Sequence, residues 1–172
     1  MLQSVASLGG ATLLAGCGFH PVYMPTASGG PGPAERDMAA IQVGLIPDRP
    51  GQLLRQALQQ RLGSDSGAEA PRYKLAVSYA IEGQGVAVAP DSTPTFTRLI
   101  GRAHWSLTSV VPPHAPVTSG LARAYASMDV FQQQYFAADL ETEQQQRVLA
   151  RELAAQIAEQ LAVFFRRRAG MS

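Results

Sequence analysis

The side chains able to do chemistry are few, and their spacing is unhelpful for catalysis. Three histidines occur, His20, His104 and His114, and none stands at a metal-ligand spacing from another with an acid or cysteine beside it. A zinc or other metal site is therefore not expected. Asp129, Asp139, Glu141 and Glu143 cluster in sequence, but Glu141 and Glu143 fall where a long helix should begin, and the helix dipole favours acids there. No G-x-S-x-G, P-loop or dinucleotide fingerprint is present. Gly83-Gln84-Gly85 lacks the helix-opening context that would give a Gly-x-Gly meaning and is expected to be part of a loop. No catalytic residues, no metal and no enzymatic activity are expected. The one remaining reactive group is Cys17, and as the only cysteine it cannot form an intramolecular disulfide.

Cys17 closes the tetrapeptide Leu14-Ala15-Gly16-Cys17, which follows an uncharged stretch containing Leu8, Ala11, Leu13 and Leu14. Such a run has the character of a secretory h-region, and it is too short for a membrane span of about 20 apolar residues. The tetrapeptide resembles the lipobox of bacterial lipoproteins. That resemblance implies a signal peptide over residues 1–16, a diacylglycerol on the Cys17 thiol and an acyl chain on the amine freed by cleavage. No Lys or Arg precedes the run, so the positive n-region is expected upstream of Met1. Gly18 after the cysteine, where an acidic residue would retain a lipoprotein at the inner membrane, implies sorting to the periplasmic side of the outer membrane.

Composition narrows the class further. The formal charge is +1 and charged residues make up 16% of the chain, against about 25% in a typical soluble domain. This argues against a nucleic-acid partner, which needs a strong basic field. Polarity comes instead from glutamines such as Gln52, Gln56, Gln59, Gln60, Gln132, Gln133, Gln134, Gln144, Gln145 and Gln146. Such a surface suits enclosure by a polar wall as well as water.

Residues 17–38 are expected to form the acylated N-terminus and a flexible Pro, Gly and Ser-rich tether, 39–168 a single domain, and 169–172 a tail. Ile41 to Ile46 alternates as a strand, with Ile41, Val43 and Leu45 on one side. A helix follows to about Leu62, with Pro50 in its first turn, Asp48 as its cap, and Leu54, Leu58 and Leu62 on one face. Tyr73, Leu75, Val77, Tyr79 and Ile81 mark a second strand, and an extension through Val86-Ala87-Val88 is compatible with the pattern. Thr95 to Val110 is a third, with Leu99, Ala103, Trp105 and Leu107 inward and Arg98, Arg102 and His104 opposite. Val117 to Val130 returns antiparallel, with Val117, Leu121 and Tyr125 sharing one face. From about Asp139 to Arg168 a long helix carries an apolar stripe through Leu149, Leu153, Ile157, Leu161 and Phe164/Phe165. Arg166, Arg167 and Arg168 complement the negative end of its dipole. The order β-α-β-β-β-α predicts an α+β two-layer sandwich, a mostly antiparallel mixed four-stranded sheet under two helices, with the other sheet face uncovered.

With these elements placed, the chain resembles the LptE family of lipopolysaccharide-assembly lipoproteins. The resemblance rests on Cys17-Gly18-Phe19-His20-Pro21-Val22-Tyr23, on the strand-helix segment Ile41 to Leu62, and on the final helix around Glu159-Gln160-Leu161. It implies a β-barrel partner of the LptD type that encloses the lipoprotein as a plug, and a task in inserting lipopolysaccharide into the outer leaflet. It also implies direct contact with lipopolysaccharide through basic strand residues, for which Arg98, Arg102 and Arg123 are the candidates, guanidinium being well matched to phosphate. The competing expectation is an auxiliary lipoprotein of a periplasmic lipid or solute transporter, and a free periplasmic enzyme is a third.

Overall fold

A computed structural model describes residues 32–64, 67, 69–88, 94–129 and 135–170. Cys17, its signal peptide and the motif through Tyr23 lie outside the described residues. The elements run α1 (Pro33–Ala39), β1 (Ile41–Val43), α2 (Asp48–Leu62), β2 (Tyr73–Val88), β3 (Pro94–Ser109), β4 (Pro116–Asp129) and α3 (Tyr135–Gly170). The sheet order is β1-β2-β3-β4. β1 pairs with β2 in parallel through the α2 crossover, and the other two ladders are antiparallel. This is the expected α+β architecture with one further short helix at its start.

α1 takes in residues 33–38, which were expected in the tether. Seven residues are too few to show a helical period in sequence, but tertiary packing stabilises short helices. Ala34 and Met38 are buried, and α1 packs on α3. α2 buries Leu54, Leu58 and Leu62 as their spacing dictates, and Gly63 ends it in the left-handed conformation with φ +69°. Asp48 does not cap this helix. Its own φ is +65°, Pro47 holds the cap position, and no side chain bonds the free amides. β1 is also shorter than expected. It stops at Val43, so the alternation breaks, leaving Leu45 82% exposed and Ile46 buried.

The core lies between the sheet and the helices. Leu149, Leu153, Ile157, Leu161 and Phe165 of α3 are fully buried, and the first four are each followed on the helix by a buried alanine: Ala150, Ala154, Ala158 and Ala162. Beneath them β3 contributes Gly101, Ala103, Trp105 and Leu107, while Leu99 is partly buried against the same core. Phe165 meets the Tyr73 ring at a tilt with centroids 5.2 Å apart and the Phe164 ring edge-to-face at 5.3 Å.

On β4, Leu121 and Tyr125 share one face, as expected, and it is the face turned away from the helices. Ala122, Ala124 and Ala126 are buried, whereas Tyr125 is 60% exposed and Leu121 is partly buried on the opposite face. Size explains which face turns inward. Ala122 pairs with Ala103 and Ala124 with Gly101, and this run of small residues lets α3 lie close on the sheet. A Cβ on Gly101 would stand 3.2 Å from Leu153.

Candidate functional site

β4 is an edge strand, and outward backbone groups left bare would invite unwanted pairing. Two glutamines of α3 cover its middle. The Gln156 side-chain amide accepts from the Arg123 N–H at 3.2 Å and donates to the Arg123 carbonyl at 2.8 Å, as a neighbouring strand would. Gln160 donates to the Leu121 carbonyl at 3.1 Å while its Oε1 accepts from the Trp105 indole at 3.0 Å. Both Arg123 backbone groups therefore point away from β3. Arg123 and its register partner Arg102 thus form a non-hydrogen-bonded pair, with Cβ atoms about 5 Å apart.

Like charges placed directly opposite on a sheet face oppose folding. Here Arg102 and Arg123 do so on the face the helices leave open, and Glu82 of β2 pairs with Arg102 through an ion pair. Arg98 is on the same face of β3, four residues and roughly 14 Å along the strand from Arg102. The structure thus brings all three arginines to one surface, among small or neutral neighbours: Ser127 opposite Arg98, Ala80 opposite Arg102, and Ser78 opposite His104. Arg98, Arg123, His104 and Tyr125 are exposed, and Arg102 is partly so. An open sheet with three guanidinium groups and one carboxylate can hold an anionic, multiply charged surface ligand.

The helix layer holds a second basic site that sequence reasoning missed. Arg49 of α2 and Arg147 of α3 both bond Glu143, at 3.0 and 2.9 Å. Beside this clamp an open groove of about 590 Å³ is lined by Arg49, Arg147, Arg151, Gln56, Gln60 and Gln144. The hydrogen bond from Arg147, then that from Arg49, holds the Glu143 carboxyl below the usual range, so the clamp persists through neutral pH and loosens only on acidification. Its signal in sequence was the Glu143–Arg147 spacing alone, because Arg49 arrives from another helix. Among the other glutamines expected at the surface, Gln52 is exposed, and Gln59, Gln145 and Gln146 are partly buried. Gln132, Gln133 and Gln134 lie outside the described residues.

Burial pushes the Tyr79 phenol up to about 12, and its hydroxyl has no hydrogen-bond partner among the described residues, so it keeps its proton at neutral pH. Among those residues no three His, Cys, Asp or Glu side chains gather as a metal site, and no helix is long and apolar enough to cross a membrane.

Comparison with known proteins gives the fold a family. A putative lipoprotein from Caulobacter crescentus is 24% identical, with a TM-score of 0.63 over 77% of this chain and 95% of that one. Rare lipoprotein B from Shewanella oneidensis superposes with a TM-score of 0.52 at 12% identity, over 72% of this chain and 92% of that one. Lipoprotein B from Nitrosomonas europaea gives 0.52 at 14% identity, over 72% and 81%. At these identities the likeness is one of fold. No curated protein matches the chain. The family model for lipopolysaccharide assembly, LptE, matches residues 38–163, from the end of α1 almost to the end of α3. Since that match spans every strand, α2 and most of α3, the chain belongs to the lipopolysaccharide-assembly family LptE.

Proposed function

We propose that this member of the lipopolysaccharide-assembly family is an outer-membrane lipoprotein, held on the periplasmic side by acyl chains on Cys17. It sits inside an LptD-type β-barrel as a plug and helps insert lipopolysaccharide into the outer leaflet. Its role is non-catalytic, and its open sheet face touches lipopolysaccharide through Arg98, Arg102 and Arg123. The observation that carries the ligand contact is the like-charge pair Arg102–Arg123 on an uncovered face, an arrangement that an anion relieves. The plug role is supported by a neutral polar exterior, since the interiors of large outer-membrane barrels are polar and unpaired charges are costly to enclose.

Replacing Arg98, Arg102 and Arg123 together with glutamine is the test of the ligand contact. Each charge-assisted hydrogen bond contributes about 1.5–3 kcal/mol, so lipopolysaccharide binding in vitro should weaken by at least about tenfold. Assembly with the barrel should persist. A matched Arg49, Arg147 and Arg151 triple on the helix layer should leave lipopolysaccharide affinity unchanged. Equal binding by wild type and the sheet-face triple would return those arginines to a solvated surface.

A further inference from the structure

Arg166, Arg167 and Arg168 suit a helix C-terminus, but the fold gives them additional company. α3 delivers Arg167 and Arg168 to the end of the sheet where Arg72 enters β2 and where β3 turns into β4. A cavity of about 730 Å³ opens there, walled by Tyr73, Val111, Val117 and Phe164, with Arg167 and Arg168 also lining it. Arg72 lines it as well, its guanidinium held by the Asp37 carboxylate. Val111 is 64% exposed at the turn. All three arginines are exposed. An apolar floor with a guanidinium rim matches the interfacial zone of an anionic bilayer, where phosphates accept from guanidinium and short apolar groups enter at the acyl boundary.

We propose that this end of the domain rests on a bilayer surface containing anionic phospholipid. Arg167 and Arg168 engage headgroup phosphates, and Val111 and Phe164 face the acyl boundary. Charge complementarity favours a lipid surface, and so does the path of the chain. α1 is fastened at this same end: Asp37 pairs with Arg72 at 2.9 Å, and the Ala40 carbonyl accepts from the Arg72 and Tyr73 amides at 2.9 and 3.2 Å. From α1 the chain leads back through the fourteen residues 18–31 to Cys17. Fourteen residues reach at most about 50 Å, so acyl chains on Cys17 and this patch can meet the same membrane. Only that orientation rests on the proposed anchor; binding by the patch does not.

The test is flotation of the full chain carrying Cys17→Ala with vesicles of phosphatidylcholine, alone or with phosphatidylglycerol added. The protein should float with the anionic vesicles and not the neutral ones, and added salt should release it. A basic residue near an anionic surface is worth about fivefold in partitioning. Arg167→Gln with Arg168→Gln should therefore weaken binding more than about tenfold, and Val111→Ser by a smaller factor. Arg147→Gln with Arg151→Gln, equal in charge but on the helix groove, should change nothing. No binding to anionic vesicles, binding indifferent to the 167/168 pair, or equal loss in the 147/151 pair would each overturn the proposal. Every sample lacks the acylated cysteine, so failure here is separate from failure of the anchor, which fractionation of Cys17→Ala in cells reports.

Discussion

Cys17→Ala should move the protein almost completely from the membrane fraction to the soluble periplasm in cells lacking the barrel partner. Each buried methylene contributes about 0.8 kcal/mol, one acyl chain gives only reversible binding, and two signals already suffice for stable anchoring. Three chains would hold the protein essentially irreversibly, and the substitution removes all of them together. What remains is the arginine-rimmed end of the domain, an electrostatic contact that salt disrupts. High-salt extraction before fractionation therefore separates the two contributions. A Cys17→Ala protein that stays with salt-washed membranes would show that something other than this sulfur anchors the chain.

The second large effect lies at Gly120. A Cβ there would fall 2.6 Å from Trp105 Cζ2 and 2.8 Å from Gln160 Oε1, closer than real contacts allow. Trp105 is 4% exposed and cannot move outward without disturbing the core. Gly120→Ala must therefore push the indole off Gln160, breaking a 3.0 Å hydrogen bond and leaving the indole N–H without its partner. Overpacking costs about 1–3 kcal/mol, and a buried polar group left unsatisfied costs about 1–3 kcal/mol. The loss should be roughly 2–6 kcal/mol by denaturant unfolding. Gly83→Ala is the control. Its Cβ would meet Leu99 and Thr97 at an ordinary 3.7 Å, so stability should change by less than about 0.5 kcal/mol. If Gly120→Ala unfolds at the wild-type denaturant concentration, the indole and Gln160 do not meet as described.

Periodicity made the longest elements legible before any coordinates. The alternation from Tyr73 to Ile81 and the stripe from Leu149 to Phe165 each have a single physical solution, a half-buried strand and an amphipathic helix. Parity along β3 also put Arg98 and Arg102 on the side opposite Ala103, Trp105 and Leu107. What parity cannot supply is the choice between two faces. On β4 parity groups Leu121 with Tyr125, but it does not say that α3 lies close over Ala122, Ala124 and Ala126 instead. The same choice of face puts Arg123 on the open side, and its place across from Arg102 depends on register and not on local pattern. Arg49 with Arg147, and Arg72 with Arg167, are products of chain reversal over long separations. Nothing within either local segment encodes them.

The central claim is that a barrel encloses this domain. A tag placed after Ser172 and purification from detergent-solubilised membranes address it directly. A large β-barrel protein recovered in equal amount, and retained when Arg98, Arg102 and Arg123 are all replaced, is the predicted result. Recovery of the chain alone, or with an ATPase transporter in place of a barrel, would contradict it.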